Sequence, residues 1–95
     1  MLKIAGVRRS SLDVVADILL ALRRERGRLK PTHVMYKANL SHKLLKGYLD
    51  DLLSKELIVE VDAEKGRKYI QLTEKGLDFL QQFEKLKEFR ETFGI

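Results

Sequence analysis

Ala38-Asn39-Leu40-Ser41 forms a short turn between two stretches of helical periodicity, and no other feature narrows the possible folds as much. Asparagine tolerates the left-handed conformation that a sharp reversal needs. Serine accepts a hydrogen bond from the first unpaired amides of the helix that follows. Ahead of the turn, Pro31-Thr32 opens a short helix. Proline suits a first turn because its missing N–H has no helical partner there, and Thr32 is the expected cap. Val34, Met35 and Ala38 give this helix a small inward face. Beyond the turn, a helix is expected from about His42 to Lys55, with Leu44, Leu45, Tyr48, Leu49, Leu52 and Leu53 as a wide apolar stripe. Two helices joined by so short a turn make a helix-turn-helix.

The flanking segments complete the pattern. Val15, Ile18, Leu19 and Leu22 fall at i, i+3, i+4 and i+7, one face of a first helix. Ser10-Ser11-Leu12-Asp13 has capping-box spacing, with Asp13 in place of the usual glutamate. Gly27 is expected to end that helix in a left-handed conformation. Leu57 to Val61 and Lys68 to Leu72 are β-rich, and the polar loop between them contains Gly66, which allows a tight turn. Helix, helix-turn-helix and hairpin follow in the order of a winged helix. Thr73 then caps a last helix reaching about Gly94. The fold class expected is α+β, mostly α: a winged helix-turn-helix with a long C-terminal dimerisation helix. The chain divides into a basic arm at 1–9, a winged-helix domain at 10–72 and a coiled-coil-like helix at 73–95.

In that last helix Phe79, Leu86 and Phe93 recur every seven residues, and Leu80, Phe83 and Phe89 broaden the stripe. About 20 residues span roughly 30 Å, more than a small three-helix body needs. Either the stripe folds back on its own domain or a second copy covers it. The length favours a second copy, through Phe79, Phe83, Leu86, Phe89 and Phe93.

Composition removes several function classes. The 95 residues suffice for one small domain. With no cysteine, a disulfide scaffold, a cysteine-ligated metal and a thiol nucleophile are excluded. His33 and His42 lack metal-ligand spacing, Asp50 and Asp51 are adjacent and point to different faces, and no phosphate-cradling or nucleophile motif occurs. No enzyme activity, metal or cofactor is expected. No apolar run approaches a membrane span, and the N-terminus lacks the order of a secretory signal, so a cytoplasmic, nucleoid-associated location is expected. Lysine and arginine number 19 against 14 acidic residues. Residues 1–46 carry 11 basic and 3 acidic groups, a net of +8, while residues 47–95 carry 8 and 11, a net of −3.

A basic half points to a polyanion, and the helix-turn-helix points to double-stranded DNA. Near the N-terminus of the second helix of that motif, Ser41, His42, Lys43 and Lys46 are the candidates for base or phosphate contact; the alternative is an ordinary solvated face. Gly47, beside them, costs about 1 kcal/mol against alanine in a helix interior, which fits either close packing or close approach of a ligand. Lys65, Arg67 and Lys68 on the hairpin, with Arg8, Arg9, Lys30 and Lys37, are phosphate candidates. Arg23, Arg24, Arg26 and Arg28 either join them or satisfy a helix end. Tyr36 either packs inward or donates its hydroxyl to phosphate.

Residues 9–80 resemble the small archaeal winged-helix DNA-binding proteins of the Sso-ten-a type. The resemblance lies in Arg9-Ser10, in Thr32 to Ser41 (THVMYKANLS), in Leu57-Ile58 and in Tyr69 to Gly76 (YIQLTEKG). It implies an antiparallel coiled-coil homodimer that binds double-stranded DNA, in chromatin organisation or transcriptional regulation. The last helix departs from the chromatin members in being shorter and rich in phenylalanine. Winged helices also serve as protein-interaction modules, and such a module within a transcription complex is the alternative function.

Overall fold

Ser10 starts the first helix by closing a capping box with Asp13. The Ser10 hydroxyl accepts from the Asp13 N–H at 3.0 Å, and the Asp13 carboxylate accepts from the Ser10 N–H at 3.2 Å and its hydroxyl at 2.8 Å. In this computed structural model, which describes residues 9–95, the elements are α1 (Ser11–Arg24), β1 (Arg28–Leu29), α2 (Pro31–Lys37), α3 (His42–Ser54), β2 (Ile58–Asp62), β3 (Lys68–Leu72) and α4 (Glu74–Phe93). Of the expected basic arm, Arg9 is described and Arg8 lies outside the described residues.

The exit from α1 differs from expectation. Arg26 (φ 65°) is the first left-handed residue, and Gly27 (φ 91°) continues at positive φ, with its N–H on the Leu22 carbonyl at 2.6 Å. This double reversal delivers the chain into β1, a strand too short to carry any periodicity and therefore not expected. β1 exists because β3 offers it a free edge: Arg28 pairs with Gln71 and Leu29 with Ile70. The sheet is antiparallel in the order β1-β3-β2. The start of α2 also shifts. Pro31 takes the first helical position, so the cap position falls on Lys30, which makes no side-chain capping bond, and Thr32 sits inside the first turn.

The turn itself follows expectation. Asn39 is left-handed (φ 54°), and the Ser41 hydroxyl accepts from the Leu44 N–H at 3.2 Å. The stripe on α3 is narrower than expected: Leu45, Leu49 and Leu52 are buried, Tyr48 and Leu53 half-buried, and Leu44 exposed. These three buried leucines stand at i, i+4 and i+7, and with Tyr48 and Leu53 packed beside them they hold one face of α3 to the core. They join Ile18, Leu19 and Leu22 of α1, Val34, Ile58, Ile70 and Leu80 in one core.

The β3–α4 junction holds a close contact that periodicity does not reveal. The Thr73 hydroxyl accepts from the Gly76 N–H at 2.9 Å and donates to the Glu56 carbonyl at 2.8 Å. Gly76 is buried, and a Cβ there would collide with the Leu57 carbonyl oxygen and stand 2.8 Å from a Leu72 methyl. Farther along, Arg23 binds Glu84 through two hydrogen bonds of 2.8 Å and ties α1 to α4.

Replacing Gly76 with alanine improves helix propensity by about 1 kcal/mol but forces this contact apart. A net loss of about 1–3 kcal/mol is expected, seen as a lower urea midpoint with an unchanged slope. Acid should weaken the fold as well. The hydrogen bonds from Ser10 hold the Asp13 carboxyl below the usual carboxylate range, and those from Arg23 do the same for Glu84. A depressed carboxyl contributes stability above its unfolded pKa and loses it as pH falls through the folded value. Stability should therefore drop between about pH 5 and pH 2. An Asp13→Asn, Glu84→Gln double variant should show a shallower drop in urea unfolding across that range.

Candidate nucleic-acid interface

With Leu45, Leu49 and Leu52 turned inward, helical geometry puts Lys43, Gly47, Asp50 and Ser54 on the outer side of α3. Lys43 is exposed and makes no ion pair among the described residues, whereas the Lys46 ammonium stands 4.0 Å from the Asp50 carboxylate. His42 is exposed in the first turn, and the Ser41 hydroxyl is committed to the cap. A Cβ added at Gly47 would meet nothing within 4 Å among the described residues, so packing against them does not explain this glycine.

Two hollows flank α3. Against α2, Pro31, Thr32, Met35, His42, Lys46 and Asp50 line one of about 270 Å³. Toward α1 and α4 a larger, mainly apolar groove of about 670 Å³ runs past Leu12, Val15, Leu44, Gly47, Tyr48 and Phe79, with Lys43 on its wall.

The hairpin closes over residues 64–66. Lys65 (φ 62°) and Gly66 (φ 71°) are both left-handed, and the Ala63 N–H reaches the Arg67 carbonyl at 2.8 Å. Lys65, Arg67 and Lys68 are exposed. The β1–β3 pairing brings Arg28 to this wing, where its guanidinium lies 4.8 Å from the centre of the Tyr69 ring. Arg28, Lys65 and Arg67 share a cleft of about 400 Å³ with Asp62 and Glu64. Its charge is mixed, a feature invisible in a count of wing lysines. Nothing in the sequence around Arg28 signals this placement, because it depends on a two-residue strand.

The remaining candidates are scattered and differently occupied. Arg9 binds Asp17 at 2.8 Å and the carbonyls of Ala38 and Asn39 at 2.7 and 3.0 Å, so its guanidinium latches the helix-turn-helix turn to α1. Lys37 stands 3.6 Å from Glu25. Lys30 is half-buried at the start of α2, while Tyr36 is 75% exposed and so does not pack inward. On α4, Phe79 and Phe83 pack partly on the core, whereas Leu86, Phe89 and Phe93 are 51%, 52% and 65% exposed. The Phe89 and Phe93 rings lie 4.8 Å apart. Among the described residues no cluster of His, Asp and Glu could hold a metal ion, and no helix is long and apolar enough to cross a membrane.

No curated protein matches this sequence. Solved structures do. Sso10a-2, a DNA-binding protein from Sulfolobus solfataricus, is 26% identical with a TM-score of 0.77, over 90% of this chain and 85% of that one. This agrees with the resemblance read from the sequence. F93 from STIV, a winged-helix DNA-binding protein, is 21% identical with a TM-score of 0.70, over 87% and 92%. MepR of Staphylococcus aureus in its DNA complex is 23% identical with a TM-score of 0.66; the match covers 83% of this chain but 58% of that one. The family model described as winged helix-turn-helix matches residues 8–91. With the capped turn before α3 and the hairpin after it, that match shows that the chain belongs to the winged helix-turn-helix family.

Proposed function

We propose that the protein binds double-stranded DNA as a homodimer, as a transcriptional regulator or a chromatin protein of the nucleoid. The observation that carries this reading is the outer side of α3, which shows Lys43 without a counter-charge among the described residues, Lys46 beside it and a bare Gly47 between them and the second half of the helix. A helix held to its domain by one apolar face can lie in the major groove with its first turns against the base edges. Lysine bonds guanine O6 and N7 there, and the free amides of the first turn suit a phosphate. On the wing, Lys65, Arg67 and Lys68 serve phosphates, and the neighbouring Asp62 and Glu64 confine their attraction to short range. The description of Sso10a-2 and F93 as DNA-binding proteins, and the solution of MepR on DNA, support the same reading. No catalytic step is part of it.

The dimer rests on the distal half of α4. Leu86, Phe89 and Phe93 remain exposed after the helix has packed on its own domain, and covering one such side chain is worth about 1.5–3 kcal/mol. Phe79 and Phe83 already contribute to the domain itself, so they are poor probes of a seam between copies.

Two experiments test the reading. Titration of a duplex at increasing salt should give log K falling by about 0.9 per phosphate contact against log salt. Lys43→Ala should cost about 1–3 kcal/mol on a preferred duplex, and Arg67→Ala should weaken all duplexes alike. Loss of all binding near physiological salt would transfer the chain to the protein-interaction class. In sedimentation equilibrium, a Leu86→Asp, Phe93→Asp double variant should run as a folded monomer while the parent runs as a dimer. Its DNA affinity should fall, because a linked second unit no longer adds to the first. A monomeric parent would remove the dimer from the proposal.

A further inference from the structure

Gly47 violates helix propensity at an exposed position in the middle of α3, and no packing contact among the described residues calls for it. A side chain there would point into open space. One turn earlier Leu44 is 56% exposed, although Leu45, Leu49 and Leu52 on the same helix are buried. Leu44 and Gly47 are three residues apart and therefore neighbours on the helix surface, and both line the groove whose wall Lys43 completes. Together they form an apolar notch on the outward flank of α3, with a cation at its edge.

Resting on the DNA reading above, we infer that Leu44 and Gly47 are specificity-determining residues that receive the C5-methyl group of thymine in the major groove. The bare Gly47 lets the helix axis approach the base edges, and this approach brings the Leu44 methyls onto the thymine methyl. That methyl is the apolar feature a T·A pair presents in the major groove, and side chains of this kind read it by contact. Lys43, one turn before Gly47, is then placed to reach a phosphate or a neighbouring guanine. A departure from local propensity without internal compensation is expected where a surface serves a partner.

The test uses the full chain and a duplex of alternating A·T pairs, with a second duplex in which every thymine is replaced by deoxyuridine. At about 150 mM salt, where non-specific attraction is screened, the protein should prefer the thymine duplex by about four-fold for each methyl buried. A G·C duplex should gain affinity when its cytosines carry the same C5-methyl. Leu44→Ala should bind both A·T duplexes equally, with its melting temperature little changed because the side chain is exposed. Gly47→Ala gives the sharper result, because two readouts should move in opposite senses. Its melting temperature should rise by about 4–8 °C, and its DNA affinity should fall by about ten-fold. Equal binding of the thymine and deoxyuridine duplexes by the parent overturns this inference and leaves DNA binding standing. So does a Leu44→Ala variant that still discriminates, or a Gly47→Ala variant with undiminished affinity. Failure of the parent to bind any duplex at this salt overturns the DNA reading and the notch with it.

Discussion

Ile18, Leu19 and Leu22 are sealed from solvent by parts of the chain far apart in sequence: α2, β1, β3 and α4 all pack on α1. A 95-residue chain has little apolar surface to bury, so one helix must serve as the common wall for nearly everything else. The consequences run outward from it. The Arg9 latch joins α1 to the turn before α3, and the Arg23–Glu84 pair joins α1 to α4. Helix α3, at the margin of this assembly, is held by Leu45, Leu49 and Leu52 with Tyr48 and Leu53 packed beside them, and its outer side is left for other use.

The basic charge is divided in the same way. Arg9, Arg23, Lys37 and Lys55 face carboxylates inside the fold, and Arg28 rests on Tyr69. The net of +8 over residues 1–46 already counts Asp17 and Glu25, so of these pairs only that of Arg23 with Glu84 lowers the net itself, while the others fix where the charge is neutralised. These pairs are exposed and individually worth little stability, but each takes an attractive charge out of the outward field. Lys43 on α3, the lysines and arginine of the wing, and the exposed Arg24 and Arg26 about the end of α1 make no ion pair among the described residues.

Helix α4 has two parts that the heptad spacing did not distinguish. Its first turns are built into the domain through Gly76, Leu80 and the half-buried Phe79 and Phe83. Its last turns carry Leu86, Phe89 and Phe93 into solvent. The periodicity is continuous across both because a helix repeats in the same way whichever surface it meets.

Local chemistry was readable in the sequence wherever one short segment decides the outcome. The caps at Ser10, Ser41 and Thr73, the left-handed Asn39, the hairpin turn at Gly66 and the order of helices and strands follow from side chains acting within a few residues. Contacts between segments were not readable. β1 exists because β3 has an open edge, the start of α2 moves with Pro31, and Gly76 is required by the carbonyl of Leu57, nineteen residues before it. The candidate interface divides along the same line. Lys43, Lys46 and the wing cations could be named from the helix-turn-helix pattern, whereas the latch formed by Arg9, the arrival of Arg28 at the wing and the exposure of Leu44 depended on tertiary structure. The reason is physical: capping and turn formation are settled by bonds spanning a few residues, while burial and ion pairing are settled by whichever distant segment packing brings alongside.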